Sequence, residues 1–468
     1  MTELEQKGNK IPQYIAALSV CLGSVAAGCV NGWTANINTE LDEGKFNDLK
    51  IDSDAKGWIT SCATLGAMVM CFPIGIICDM IGRKLANLLL IIPFVVGWLI
   101  IILAENNGMI FAGRVITGMA GGAFCISAPM YTSEIAEAEI RGALGSFFQL
   151  LLTVGILFAY VVAYLVEPKA YTIICAVLPL LFGAVFFFQP ETPVYLMKKG
   201  RRDDAKQSLI RLRGQKYNVE KELNEIAAML QESANIQVNI VESMKKRAAQ
   251  RSSIICFGLM FFQQLSGINA VIFYTSEIFT SAGSDLDPKI ATIIVGAMQI
   301  FGTLLASVIV DKLGRKLLLI VSDLFMGISI IVLGLFFTLK ERDLVDSSTL
   351  TDIGFLPVLS LCVFIIMFSI GYGPIPWMIS SEVFPPEIKT FASAAAGTFN
   401  WFLAFLVTKF YLDLKEAFGG DVVFYIFGVI SLIGTVFVVF FVPETKGKSF
   451  DEIQRELNGE KSIVPSKN

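Results

Sequence analysis

The chain contains no histidine, so it has neither the imidazole proton relay nor the commonest metal ligand. No Asn-x-Ser/Thr acceptor occurs, and no N-glycan is expected. Nine cysteines stand at positions 21, 29, 62, 71, 78, 125, 175, 256 and 362. None forms a CxxC pair, and all fall inside apolar segments or at their ends, so they read as small buried hydrophobes. No phosphate-cradling glycine loop, nucleophile–base pair or metal cluster is found, so no enzyme activity, cofactor or metal is expected. Charged residues make up only 17%, and the net charge of −4 is spread over loops. No nucleic-acid partner follows from such a distribution. The start, Met1 to Lys10, is polar and resembles no cleavable signal.

Apolar sequence dominates instead. Of 468 residues 54% are hydrophobic, and the mean hydropathy is +0.65, more than a soluble core requires. Runs of about 20 apolar residues, enough to cross ~30 Å of hydrocarbon, recur from 12–36 to 421–442. Twelve such segments predict an all-α membrane protein with lipid as its surroundings. They group as a six-helix bundle over 1–189, a linker with short helices over 190–251, a second six-helix bundle over 252–442 and a tail over 443–468. Thirteen of the 37 Lys and Arg fall in the linker, and the short loops on the same side share the bias. Both termini are therefore expected on the cytoplasmic side. In the linker, Asp203 to Arg213 has an acidic start and a basic end suited to a helix. A second helix is expected from Val219, with Asn218 as its cap. Ser449-Phe-Asp-Glu452 has the spacing of a capping box.

The two halves repeat each other. Asp79-Met-Ile-Gly-Arg83-Lys84 reappears as Asp311-Lys-Leu-Gly-Arg315-Lys316. Glu134 precedes Arg141 by the same interval as Glu382 precedes Lys389, and Pro-Glu191-Thr closes the first half as Pro-Glu444-Thr closes the second. A membrane chain duplicated in this way is expected to rock two bundles about a central site, as a transporter does. Asp79, Arg83, Glu134, Arg141 and Glu191, and their counterparts Asp311, Arg315, Glu382, Lys389 and Glu444, are expected at the cytoplasmic helix ends. There they could pair across the bundles when that side closes.

Amides are sparse in the apolar segments, yet Gln149, Gln263, Gln264, Asn269, Gln299 and Asn400 are present, with Trp377 and Trp401 nearby. Uncharged amides can donate to and accept from adjacent hydroxyls of a neutral ligand, and an aromatic plate covers a C–H face. A continuous helix would put Gln264, Ile268 and Val271 on one side. Gly371-Tyr-Gly373-Pro374-Ile-Pro376 interrupts the tenth segment and reads as a hinge beside Trp377.

Several motifs occur together and in order: Gly113-Arg114-Val-Ile-Thr-Gly118, Pro129-Met-Tyr131-Thr-Ser-Glu134, Gln263-Gln264-Leu-Ser-Gly267-Ile-Asn269, Gly373-Pro374-Ile-Pro376-Trp377 and Pro-Glu444-Thr-Lys-Gly447. In these the chain resembles the sugar porters of the major facilitator superfamily, near animal glucose facilitators and insect trehalose facilitators. The resemblance implies that Gln149, Gln263, Gln264, Ile268, Asn269, Trp377 and Asn400 line a central cavity. It has exceptions. Val194 follows Pro193, Lys389 replaces the usual arginine, Gln299 stands for a frequent Asn, and Ser369 for a frequent Glu. The small Ser369 would leave room for a larger sugar such as trehalose. Proton-driven members carry an acid in the first span, but the aligned position here is Val30, and no Asp or Glu lies between Ile11 and Thr39. The expectation is a facilitative uniporter of glucose or trehalose in the cell surface membrane. The alternatives are a proton symporter with an unrecognised acid, and a sugar-binding sensor, for which a long signalling tail is expected in place of the 26 residues after span twelve.

Overall fold

A computed structural model describes residues 8–235, 240–283 and 286–460. The polar start expected up to Lys10 and the end of the 443–468 tail lie largely outside the described residues. Among these residues, twelve helical spans are long and apolar enough to cross a membrane. They are Ile11–Asp42, Ser53–Ile81, Arg83–Ile102, Asn107–Ile135, Arg141–Leu165, Pro168–Phe186, Arg247–Ala282, Pro288–Leu313, Arg315–Glu341, Ser347–Val383, Lys389–Phe418 and Gly420–Phe441. Helices satisfy their own backbone groups, which hydrocarbon cannot do. Their outward faces expose Ile76, Phe301 and Phe440, as expected where lipid is the solvent. The all-α, twelve-span fold class read from the sequence is therefore the one observed.

The chain divides into two compact units. One runs to Trp33 and resumes at Cys62, taking in the linker helices; the other combines Thr34–Ser61 with the second half of the chain. In the first unit, spans cross with backbones nearly touching. A Cβ at Gly28 would run into the Leu152 carbonyl, and one at Gly155 into the Val25 carbonyl. The second and fourth spans meet the same way, Gly118 against Ala63 and Gly122 against Ala67. Small residues allow this approach, and close packing is the main attraction between helices in lipid.

The linker forms the short helices its charges suggested. Arg202–Arg213 carries Asp203 and Asp204 in its first turn and Arg211 and Arg213 in its last. Val219–Asn235 follows, with the Asn218 side chain accepting from the Lys221 N–H at 3.3 Å. These helices share a small apolar core of Tyr195, Leu196, Leu209 and Leu223. Arg213 is 2% exposed and fastens them to the first unit, bonding the Ile135 carbonyl at 2.7 Å and pairing with Glu222 at 2.8 Å and Glu137 at 3.4 Å. The Ser449–Glu452 capping box opens a helix over Phe450–Asn458.

The second unit is less regular. Its seventh span is two helices, Arg247–Leu265 and Ile268–Ala282, separated at Gly267, whose φ of 86° is left-handed. The tenth is likewise broken between Leu356–Ile370 and Ile375–Val383. The continuous helix expected through Gln264, Ile268 and Val271 is not formed, because Gly267 turns the chain between the first and second of these.

Replacing Gly155 with Val should destabilise the protein by about 1–3 kcal/mol through overpacking, seen as a lower thermal midpoint in detergent. Gly142→Val is the control, because a Cβ there meets nothing within 4 Å. Equal midpoints for the two variants would contradict the tight crossing.

Candidate functional site

The two helix breaks belong to one hydrogen-bonded group. Breaking the tenth span frees the carbonyls of Tyr372 and Gly373, and the buried Gln263 amide donates to both, at 2.6 and 3.1 Å. The Gln263 oxygen accepts from Asn400 at 2.6 Å. Gln264 donates to the Asn400 oxygen at 2.9 Å and accepts from Asn269 at 2.6 Å. The bonds through Asn400 and the peptide link between Gln263 and Gln264 thus close a ring against the broken tenth span, with Asn269 attached to it through Gln264. At about 0.6 kcal/mol per interhelical bond, its five contacts contribute roughly 3 kcal/mol. The ring still has capacity to spare. Gln264 and Asn269 each keep one N–H, and each of the four oxygens keeps a lone pair, so the ring can both donate and accept.

Trp377 stands just after the break and is 40% exposed. Its ring lies 3.4 Å from where a Cβ on Gly397 would sit, so the eleventh span packs beside it while part of the side chain stays accessible. Trp401 is half-buried beside Asn400. Ile268 is buried at the start of the second half of span seven. Gln299 is buried in the eighth span, outside the amide ring, with its backbone carbonyl accepting from Thr303. Gln149 is half-buried on the first unit.

The break runs from Gly371 through Pro374, with Pro376 in the first turn of the next helix. Ser322 of the ninth span stitches it on both sides, donating to the Met367 carbonyl at 2.7 Å and accepting from the Tyr372 N–H at 3.1 Å. A Cβ on Gly371 would meet the Ser322 side chain, so this glycine serves close approach as much as bending. Gly373 bonds back to the Phe368 carbonyl at 2.7 Å. Ser369 does not open space for a larger sugar in the way its size suggested. Its Cβ is 2.8 Å from where a Cβ on Gly302 would lie, so the eighth and tenth spans have closed onto it.

The duplicated charges pair within their own units. Arg83 holds Glu134 at 2.8 Å and Asp79 at 3.0 Å, and Thr192 donates to Glu134 at 2.5 Å. In the second unit Arg315 holds Asp311 at 3.2 Å and Glu382 at 3.4 Å. That copy is looser: the Thr445 hydroxyl, the counterpart of Thr192, has no partner, nor do Arg315 Nε and one Glu382 oxygen. Arg141 donates to its neighbouring Ala136 carbonyl at 3.4 Å, and Lys389 is exposed. The Glu of each Pro-Glu-Thr motif has a role that spacing did not reveal. Gly82 and Gly314 precede the third and ninth spans with φ near 101° and 90° and have no side chain to cap them. Glu191 caps the third span through the Arg83 and Lys84 N–H groups, and Glu444 caps the ninth through those of Arg315 and Lys316.

Charges at the opposite ends of the spans were not foreseen. Lys409, 5% exposed inside span eleven, pairs with Asp54 at 2.6 Å. Lys56 reaches Asp42 at 2.7 Å and Glu277 at 3.5 Å, and Lys289 pairs with Glu40 at 2.5 Å. A lysine within an apolar run was the available signal. In the first unit Arg114 is wholly buried, donates to the Val30 carbonyl at 2.7 Å and lies over the Trp33 ring at 5.3 Å.

The two caps differ in their response to pH. Burial pushes the Glu191 carboxyl above its ordinary value, and backbone donors only partly offset it. Burial acts on Glu444 too, but the N–H groups of Lys446, Arg315, Lys316 and Thr445 together hold it below. Glu444 therefore adds stability above the ordinary value of 4.5 that is lost as pH falls through its folded value. Glu191 has the opposite sign, its contribution being present below 4.5 and lost as pH rises through its folded value. Acidification should accelerate hydrogen exchange at the start of the ninth span and not at the start of the third. Equal acceleration at both would contradict this pairing of caps.

Comparison with known proteins matches this architecture. The family model described as sugar (and other) transporter covers residues 16–457. The chain is 37% identical over 448 residues to the facilitated trehalose transporter Tret1 of Polypedilum vanderplanki, covering 96% of this chain and 88% of that one. It is 36% identical to the Tret1 of Anopheles gambiae, again over 96% of this chain but 56% of the longer relative. Among solved structures, the inward-open xylose transporter XylE of E. coli superposes with a TM-score of 0.79 at 23% identity, covering 94% of this chain and 98% of that one. These relatives are transporters and not enzymes. With twelve spans and a family match from end to end, the chain belongs to the sugar transporters of the major facilitator superfamily.

Proposed function

We propose that the protein moves a sugar such as glucose or trehalose down its own gradient, as a uniporter working by alternating access in the cell surface membrane with both termini inside. The observation that carries this reading is the neutral amide ring of Gln263, Gln264, Asn269 and Asn400, with Trp377 on the same unit. The ring offers hydroxyls donors and acceptors without placing a charge in the membrane, and the indole suits the apolar face of a pyranose. Gln149, Ile268, Gln299 and Trp401 are assigned as further lining residues. The break at Gly371, Gly373, Pro374 and Pro376 is assigned as the hinge. The charged sets at Asp79, Arg83, Glu134, Arg141 and Glu191, and at Asp311, Arg315, Glu382, Lys389 and Glu444, bias the conformational equilibrium.

Uniport is supported by the first span. Where Arg114 meets it, the Val30 backbone carbonyl accepts from Arg114 at 2.7 Å, at the position aligned with the acid of proton-driven members. The names of the matched relatives point the same way, being facilitated trehalose transporters. Symport is the second reading, because one buried acid, Asp323, does lie in the ninth span.

Purified protein in liposomes should exchange labelled glucose or trehalose by counterflow, and an imposed proton gradient should drive no accumulation. Absence of exchange for every mono- and disaccharide offered would overturn transport; accumulation would overturn uniport. Gln264→Ala should raise the half-saturating sugar concentration about tenfold, corresponding to ~1.4 kcal/mol for the hydrogen bonds lost to sugar, and should lower the thermal midpoint only modestly, since two of the five amide bonds, about 1.2 kcal/mol, go with it. Unaltered exchange kinetics would remove Gln264 from the site.

A further inference from the structure

Asp323 lies eight residues into the ninth span, about 12 Å from its start at 1.5 Å per residue. The residue is 0% exposed, and among the described residues neither carboxyl oxygen closes a hydrogen bond of regular geometry. The hydroxyls of Tyr372 and Ser431 are the polar groups within interaction reach of it, and they too are buried with no other hydrogen-bond partner among the described residues. Room for the carboxyl is made by Gly434 of span twelve, where a Cβ would strike Asp323 Oδ2. Three elements of the second unit thus turn four buried oxygens toward one another, with only one another as polar company.

None of the surrounding elements brings a cation. Span twelve carries one charge, Asp421, held by Arg342 at its far end. Leu356–Ile370 carries none, and Ile375–Val383 carries only Glu382, which pairs with Arg315. Arg247 and Arg251 belong to the first turns of span seven, whose Phe262 ring faces Gly434. The charges of span eight, Lys289, Asp311 and Lys312, are at its ends, as are Arg315, Lys316, Lys340 and Glu341 of Asp323's own span. Tyr372 is the one other titratable group facing the carboxyl.

Burying a lone carboxylate among neutral groups costs several kcal/mol, whereas a protonated carboxyl can donate to either hydroxyl and accept from the other. Tyr372 then links this site to the amide ring. Its hydroxyl faces Asp323, while its backbone carbonyl accepts the Gln263 amide at 2.6 Å.

We propose that Asp323, Tyr372 and Ser431 form a proton-binding site behind the helix break, and that the bound proton holds the break in the position where Gln263 is engaged. The proton comes from water and forms an O–H bond on the carboxyl; no other bond is made or broken. Resting on the transport reading, the consequence is that proton occupancy sets the rate of sugar exchange without being carried in fixed ratio with sugar.

Two measurements on the full-length protein test this. Infrared spectra should contain a protonated-carboxyl C=O band that disappears in Asp323→Asn; identical spectra in that region overturn the site, whether or not the protein transports. In liposomes at equal pH on both sides, wild-type glucose or trehalose counterflow should fall several-fold from pH 6 to pH 8.5. Asp323→Asn, which keeps the shape and cannot ionise, should show a flat profile. A wild-type profile that is already flat, or an unchanged slope in Asp323→Asn, overturns the coupling to exchange. If that variant does not fold, the wild-type spectrum decides, since absence of any protonated-carboxyl band overturns the site. Accumulation driven by a proton gradient and lost in Asp323→Asn would retain the proton site and sink uniport instead.

Discussion

Every backbone N–H and C=O in hydrocarbon must find a partner inside the protein. Most of the chain meets this demand by being helical, and the places where it is not helical are the places that do something. The tenth span breaks and exposes the carbonyls of Tyr372 and Gly373; the Gln263 amide answers them. Ser322 answers the Tyr372 N–H on the other side. The amides proposed to receive a sugar are thus also the groups that keep an interrupted helix tolerable. In that proposal sugar hydroxyls would use only what this duty leaves over, so binding and backbone geometry would be linked by the stoichiometry of hydrogen bonds.

The same demand explains the duplicated motifs. A helix that starts behind a glycine has no side chain to cap its first N–H groups. Gly82 and Gly314 are such starts, and in each unit the remote Glu of Pro-Glu-Thr supplies the carboxylate. Three motifs that look separate along the chain, Gly-Arg, Ser-Glu and Pro-Glu-Thr, therefore form one cluster. Arg83 and Arg315 hold the acid of the second motif while their own N–H groups are held by the acid of the third.

Apolar run length made the twelve spans legible, and charge order made the short linker helices and the capping box at Ser449 legible. Amide clustering pointed to Gln263, Gln264, Asn269 and Asn400, which do bond to one another. Spacing could not show that Gly267 divides the seventh span, because a left-handed residue leaves hydropathy unchanged. It could not show that Gln299 stays outside the ring, because helix rotation depends on packing with neighbours. The small size of Ser369 suggested space, but a neighbouring glycine let another backbone fill it. Lys409 and Asp323 could have been found, since each is a charge within an apolar run. Lys409 stands near the end of its span, where charges ordinarily belong to a loop, and Asp323 stands in the ninth span, whereas the acid of proton-driven members belongs to the first.

The glycines of the two units have different consequences. In the first they let helix backbones lie against one another, Gly28 on Leu152, Gly155 on Val25 and Gly118 on Ala63, and such seams leave no slack for sliding. In the second, Gly267 and Gly371 stand at interruptions of the helix itself. The two halves repeat one pattern, yet the first unit relies on unbroken crossings while the second is interrupted at Gly267 and Gly371, so under the proposed transport any deformation on loading cargo would concentrate in the unit that carries the amides.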